Sequence, residues 1–319
     1  MNKQSRYRGC LLGLAAGDAV GTAVEFCPRG SFKSLTDMIG GGPFQLMPGQ
    51  WTDDTSMALC LAESLIESGA DPDDQMRRYI RWYRHGHFSS TGNCFDIGIS
   101  TREALLRYER ESQPFCGSPN PRSAGNGSLM RLASIPMYFS SKPMEAIDRA
   151  GQSSRTTHGA VECVDACRYF SGLLVGALRG VSKTELLSPR FCPIEGFWKS
   201  NALASKVEKI ANGSFKNKDA DQIRSSGYVI DTLEAALWAF HRSESFEQGC
   251  LDVVNLGDDA DSTGAVFGQL AGAFYGVEGI PKDWKNKIAK WHKSLGEWQS
   301  IEAIADRLLA AADDSMTSE

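Results

Sequence analysis

The sequence predicts an all-α protein, on three observations. Apolar residues recur at the spacing of one helix face through most of the chain, two segments carry glycine at every fourth position, and runs alternating with period two are scarce. Taken in order, the first element is a glycine row, Gly9, Gly13, Gly17 and Gly21. Glycine costs about 1 kcal/mol against alanine in a helix interior, so propensity does not explain the row. A ridge at i, i+4, i+8 instead suits a helix that a second helix approaches closely. Residues 55–68 follow, with Met57, Ala58, Leu61, Ala62, Leu65 and Ile66 on one face. The same period predicts helices over 72–83, 97–108, 161–178, 228–240 and 300–312. A second row, Gly264, Gly268, Gly272 and Gly276, predicts another helix that packs against the first or against a shared neighbour, at the centre of the fold. Gly40-Gly41-Gly42-Pro43, Ser118-Pro119-Asn120-Pro121 and the stretches 189–193 and 212–220 read as loops. None resembles a flexible linker, so one domain is expected over 1–312, with 313–319 as a disordered tail.

Composition narrows the function classes. With 319 residues the chain buries a large core without disulfides. Its net charge of −5 carries no electrostatic footprint for nucleic acid. The apolar stretch 10–24 is interrupted by Gly13, Gly17 and Asp18, which fits neither a signal peptide nor a membrane span. Nine cysteines without a C-x-x-C pair predict reduced, buried thiols in a cytoplasmic protein, not a zinc site.

Two aspartate clusters stand out. Trp51-Thr52-Asp53-Asp54-Thr55 precedes a strong helical pattern, where acids would cap backbone N–H groups and complement the helix dipole. The second cluster, Gly257-Asp258-Asp259-Ala260-Asp261-Ser262, opens the glycine-rich helix and packs carboxylates more densely than capping requires. Hard divalent cations take carboxylate and hydroxyl oxygens, and two such clusters suit two ions about 3.5–4 Å apart, as in two-metal hydrolases. An EF-hand is excluded: Asp259, Asp261, Thr263 and Gly264 match its early positions, but Leu270 stands where the bidentate glutamate belongs.

With these clusters in place, the chain resembles the ADP-ribosylglycohydrolase family, and within it the dinitrogenase-reductase-activating branch. The landmarks are Gly17-Asp18-Ala19-Val20-Gly21 with Glu25, Trp51-Thr52-Asp53-Asp54-Thr55, and Thr91-Gly92-Asn93-Cys94-Phe95-Asp96-Ile97-Gly98. Gly125-Asn126-Gly127-Ser128-Leu129-Met130-Arg131, Thr157-His158 and residues 257–265 complete the order. The resemblance implies a multi-helix bundle around a dinuclear Mg²⁺ or Mn²⁺ centre held by Thr52, Asp53, Asp54, Asp259, Asp261 and Ser262. Serine at 262 stands where the family usually has threonine, and Asp258 where it often has glycine; Asp258 is given no ligand role. The 125–128 loop has residues that tolerate left-handed backbone, so its N–H groups are expected to nest a phosphate, unless it is an ordinary tight turn. Arg131 and His158 are the candidate phosphate contacts beside it, each with a structural alternative. Phe26, Phe88, Phe95 and Tyr228 are aromatic candidates for stacking on adenine. His85 and His87 read as loop residues.

The expected reaction is hydrolysis of the bond from the ADP-ribose anomeric carbon to a protein side chain, with ADP-ribose as product. Asp96 is the first candidate for proton transfer and Glu25 the second; the family carries an acid there on a mobile segment near the metals, and the Glu25 loop is expected to gate entry. The alternative for Asp96 is an N-cap of the helix from Ile97. The Phe95-Asp96-Ile97-Gly98 neighbourhood points to arginine as the modified residue. Serine, O-acetyl or nucleic-acid linkages, and a non-catalytic ADP-ribose-binding or crystallin-like relative, are the alternatives.

Overall fold

In a computed structural model, which describes residues 1–317 and the side chains of 1–312, the glycine rows lie against each other. Helix α1 (Lys3–Gly21) runs antiparallel to α13 (Ala260–Tyr275). A Cβ at Gly9 would sit 2.2 Å from the Gly272 carbonyl oxygen, one at Gly13 2.4 Å from that of Gly268, and one at Gly17 1.9 Å from that of Gly264. The two backbones therefore touch, and only hydrogen fits between them. Gly276 is the exception: it lies beyond the ridge as the C-cap of α13, at φ 75°.

Around this seam stand α2 (Asp53–Ser68), α3 (Pro72–His85), α4 (Ile99–Glu111), α5 (Ser134–Tyr138), α6 (Pro143–Thr157) and α7 (Val161–Leu178). The short α8 (Lys183–Leu186), α9 (Phe197–Ser200) and α10 (Ser205–Ala211) lead to α11 (Val229–Arg242) and α12 (Phe246–Val254). After α13 come α14 (Lys282–Ala289) and α15 (Ile301–Thr317). Among the described residues there are no strands, only isolated bridges such as Gly125 with Tyr228. Among the described residues no helix is long and apolar enough to cross a membrane, and all nine cysteines are free.

The helix over 161–178 has the expected bounds; the one expected from Ile97 begins at Ile99, with Gly98 as N-cap, so Asp96 is not its cap. Helix α6 lacked a periodic signal because its core face includes Ser153, Ser154, Thr156 and Thr157, all buried polar residues. His85 closes α3 and is not in a loop. Helix α15 continues to Thr317, into the stretch expected to be a tail, and 318–319 lie outside the described residues.

Candidate functional site

The seam sets the site because it fixes where two helices begin. At the N-terminus of α2, the capping duty falls on a residue of α1. Asp18, buried in the last turn of α1, accepts from the Thr52 N–H (2.9 Å) and the Thr55 N–H (3.0 Å), and from both threonine hydroxyls. Those bonds satisfy donors that Asp53 and Asp54 would otherwise cap. At α13 the N-cap Asp259 makes no side-chain cap bond; its Oδ2 accepts instead from Asn126 Nδ2 at 2.7 Å. Asp53, Asp259 and Asp261 thus face the space between the helices, with Asp54 buried behind them.

That space is a cavity of about 870 Å³ lined by Glu25, Asp53, Asp96, Asp259, Asp261 and Ser262 on one side and by Gly125, Asn126, Gly127 and His158 on another. One oxygen each from Glu25, Asp96 and Asp261 lie within 4.8 Å of one another. Thr52 and Asp54 lie fully buried behind the lining: Thr52 Oγ1 is 3.2 Å from Asp54 Oδ2 and 3.3 Å from Asp261 Oδ2, and Ser262 Oγ is 3.5 Å from Asp54 Oδ2. The structure therefore brings together the six residues expected as metal ligands, with Glu25 and Asp96 beside them. Asp258 is exposed.

Electrostatically the acidic side is unbalanced. Among the described residues no lysine or arginine lines the cavity. Burial, and then the neighbouring acids, push the carboxyls of Asp53, Asp54, Asp261 and Glu25 well above the usual carboxylate range. Asp96 moves the same way through burial and then Asp18 and Asp259. Buried oxygens of Glu25 (Oε2), Asp54 (Oδ1) and Asp261 (Oδ1) have no hydrogen-bond partner among the described residues. Orphaned buried acceptors are rare in folded proteins, and an all-oxygen set of this kind suits a hard divalent cation.

Backbone strain gathers at the same place. Phe26, Asp96 and Asp258, all on the cavity wall, have φ of 61°, 58° and 54°, a region costly for residues with a Cβ. The Glu25 segment is tied to the second cluster by the Phe26 N–H to the Asp258 carbonyl (2.7 Å) and the Asp258 N–H to the Cys27 carbonyl (2.8 Å).

The neutral wall departs from the expected nest. None of residues 125–128 has positive φ, and the Asn126 N–H is engaged by the Gly227 carbonyl at 3.0 Å. Gly127 is required for space: a Cβ there would lie 2.7 Å from His158 Cε1. The Gly127 and Ser128 N–H groups have no acceptor among the described residues. Ser128 itself is buried, its hydroxyl 2.9 Å from Ser154 Oγ, and does not line the cavity. Arg131 is a correction. It is 0 % exposed, turned away from the cavity against Thr156, Thr157 and the Tyr79 ring, so it does not reach a ligand directly. Of the aromatic candidates, Phe26 lines the cavity, Phe88 is buried, Phe95 packs on Phe44, and the Tyr228 hydroxyl donates to Glu162. Sequence reasoning assigned Asp18 no role, although an aspartate inside a Gly/Ala helix signals a buried partner; Ser226, Gly227 and Thr101 carried no such signal.

Comparison with known proteins agrees with this geometry. The ADP-ribosylglycohydrolase family model matches residues 1–317. The ADP-ribosylarginine hydrolase Tri1 of Pseudomonas putida (strain GB-1) is 45% identical over 96% of this chain and 78% of its own length. The ADP-ribosyl-[dinitrogen reductase] glycohydrolase of Rhodospirillum rubrum is 30% identical over 96% of both chains. A solved structure titled ADP-ribosylglycohydrolase-related protein complex superposes with a TM-score of 0.81 at 42% identity, covering 97% of this chain and 99% of that one.

Proposed function

The chain belongs to the ADP-ribosylglycohydrolase family, and from that premise we propose that it hydrolyses the N-glycosidic bond between ADP-ribose and an arginine side chain of a modified protein. The observation that carries this reading is a single cavity with two unlike walls. One presents only carboxylate and hydroxyl oxygens, several without partners; the other presents neutral donors. A sugar with vicinal hydroxyls attached to a diphosphate matches that division. The arginine linkage is supported by relatives named for it at 45% and 44% identity.

The oxygen set fits two divalent ions, Mg²⁺ or Mn²⁺, held by Thr52, Asp53, Asp54, Asp259, Asp261 and Ser262. Bound there, such ions supply Lewis acidity and fixed positions for ribose hydroxyls. The chain's own residues do the rest. Asn126 holds Asp259 in place by its 2.7 Å bond, and Asp18 holds the start of α2. Asp96, half-buried on the cavity wall, transfers the proton needed at the leaving nitrogen or at the attacking water. Glu25 is the second carboxyl for that exchange. Gly127 and His158, on the cavity wall, offer donors to the phosphates, with Ser128 buried behind them.

The test is product identification. Purified protein is incubated with an arginine-ADP-ribosylated polypeptide in Mg²⁺, in Mn²⁺ and in chelator, and the products are weighed by mass spectrometry. Intact ADP-ribose is expected with metal and none with chelator. Release of AMP would show attack on the diphosphate and end the glycohydrolase reading.

A further inference from the structure

Arg131 carries a buried charge that makes no ion pair among the described residues. Its Nη2 donates to Thr156 Oγ1 (3.2 Å) and Thr157 Oγ1 (2.8 Å), its guanidinium lies 4.5 Å from the Tyr79 ring centroid, and its Nε has no partner. An unpaired cation in a core is costly, and replacing it by an apolar residue of similar size often stabilises a protein. Its retention asks for a reason, and the reason lies one hydrogen bond further on. Thr157 Oγ1 is 2.8 Å from His158 Nδ1. A guanidinium only donates, so Thr157 Oγ1 must accept from Arg131. The remaining partner for the Thr157 hydroxyl hydrogen, among the described residues, is His158 Nδ1. If Nδ1 carried a proton instead, that hydroxyl hydrogen would be buried without an acceptor.

We propose that Arg131 is a positioning residue that acts through Thr157 to hold His158 as its neutral Nε2–H tautomer, so that a hydrogen-bond donor faces an anionic oxygen of the ligand. Nε2 lies on the side of Gly125 and Gly127, where Cβ atoms would come within 3.4 and 3.1 Å of it, and His158 lines the cavity there. Ser154 Oγ donates to the His158 carbonyl at 2.8 Å and holds the backbone beneath the ring. Burial and then the Arg131 charge push the imidazole pKa down to about 3, so the ring stays neutral across the physiological range. The wall therefore takes the influence of a cation without exposing one to the acids opposite. The proposal rests on the ADP-ribose reading only for the identity of the acceptor.

Two-bond ¹H–¹⁵N spectra of ¹⁵N-imidazole-labelled protein, recorded without ligand, test the relay. The wild type is expected to show a protonated Nε2 and a hydrogen-bonded, unprotonated Nδ1. A protonated Nδ1 overturns the proposal. Arg131→Met should remain folded and show a mixture of tautomers, while Arg131→Lys keeps a donor and retains Nε2–H. A pure Nε2–H signal in Arg131→Met removes Arg131 from the relay. Should that variant fail to fold, Thr157→Val decides, since it leaves Arg131 in place: its Nδ1 resonance should move to the position of a free acceptor, and an unmoved resonance overturns the relay. The acceptor is tested separately with ADP-ribose in magnesium buffer. His158→Gln should bind it roughly 10-fold more weakly, the loss of one hydrogen bond to a charged group. Unchanged affinity overturns the ligand half of the proposal, and wild-type protein that binds no ADP-ribose defeats the functional reading instead.

Discussion

Helix α2 carries buried carboxylates at two places, and the protein treats them in opposite ways. Glu63, ten residues along from Asp53, is 5% exposed and fully matched. His87 Nε2 lies 2.8 Å and Arg78 Nη1 2.6 Å from its Oε2, and Trp298 Nε1 donates to Oε1 at 3.2 Å. Burial alone would raise its pKa, but the bonds from His87 and Arg78 outweigh it and bring the group down to about 2. At the other end of the helix, Asp53 and Asp54 face further acids and no cation, and their carboxyls rise. The fold is thus able to neutralise a buried acid with its own side chains and does not do so in the cavity. The difference teaches that the missing positive charge is a property of the site, to be supplied from outside the chain.

The largest expected effect breaks that contrast directly. Asp261→Asn should reduce arginine-ADP-ribose hydrolysis by about 10³-fold or more, the scale of several kcal/mol of metal-assisted stabilisation. Metal content by elemental analysis should fall with it. In chelator the sign of the stability change should be positive, by about 1–3 kcal/mol in urea denaturation, because one of a set of repelling buried charges is gone. Glu63→Gln should behave oppositely: retained metal and a less stable protein. If Asp261→Asn destabilises the chelated protein, the acids are matched by something within the chain and the contrast fails.

A smaller effect concerns what holds the two acid clusters together. Gly17→Ala puts a methyl 1.9 Å from the Gly264 carbonyl oxygen, with backbone on both sides and no side chain to rotate away. Overpacking of this kind costs typically 1–3 kcal/mol, and more where backbone must move. Separation of α1 from α13 also pulls Asp18 from the start of α2 and Asp261 from Thr52. Gly17→Ala should therefore lower both stability and metal affinity, whereas Gly98→Ala, with nothing within 4 Å of the added carbon, should leave stability within about 0.5 kcal/mol. Equal effects in denaturation curves would contradict the seam as the organiser of the site.

The contrast also marks how far the sequence was legible. The seam could be read because glycine at every fourth position has one economical explanation, close helix contact, and the structure pairs the rows almost residue for residue. The acids could be read because capping needs fewer of them. What escaped depended on which way a side chain turns. Arg131 follows the loop in sequence yet points into the core, toward Thr157. The glycines of 125–128 were legible as glycines, but whether they supply positive φ or room for His158 depends on what packs against them. Asp18 became a cap for another helix, a role that no spacing within α1 encodes. Likewise Asp96 and Glu25 were expected as proton donors, and only their approach to Asp261 shows how near the metal-ligand candidates they stand.

The smallest effect comes from the matched end of α2 and concerns acid stability. Glu63 has a folded pKa of about 2, against roughly 4.3 for an unperturbed glutamate in the unfolded chain. Because the folded value is the lower one, the group contributes stability that is fully present above about pH 4.3 and is lost as pH falls toward 2. Integrated over that window the contribution is on the order of 1–3 kcal/mol. The sign is opposite for the cavity acids, whose raised pKa values make the folded state bind protons more readily than the unfolded one and so favour it as pH falls. Removing only the Glu63 charge should flatten the acid limb of the stability curve while leaving that opposing contribution in place. The measurement is urea denaturation of wild type and Glu63→Gln from pH 6 to 3 in chelator. The gap between the curves should narrow as pH falls below about 4.3; a constant gap would mean that the His87 and Arg78 bonds do not depend on the Glu63 charge.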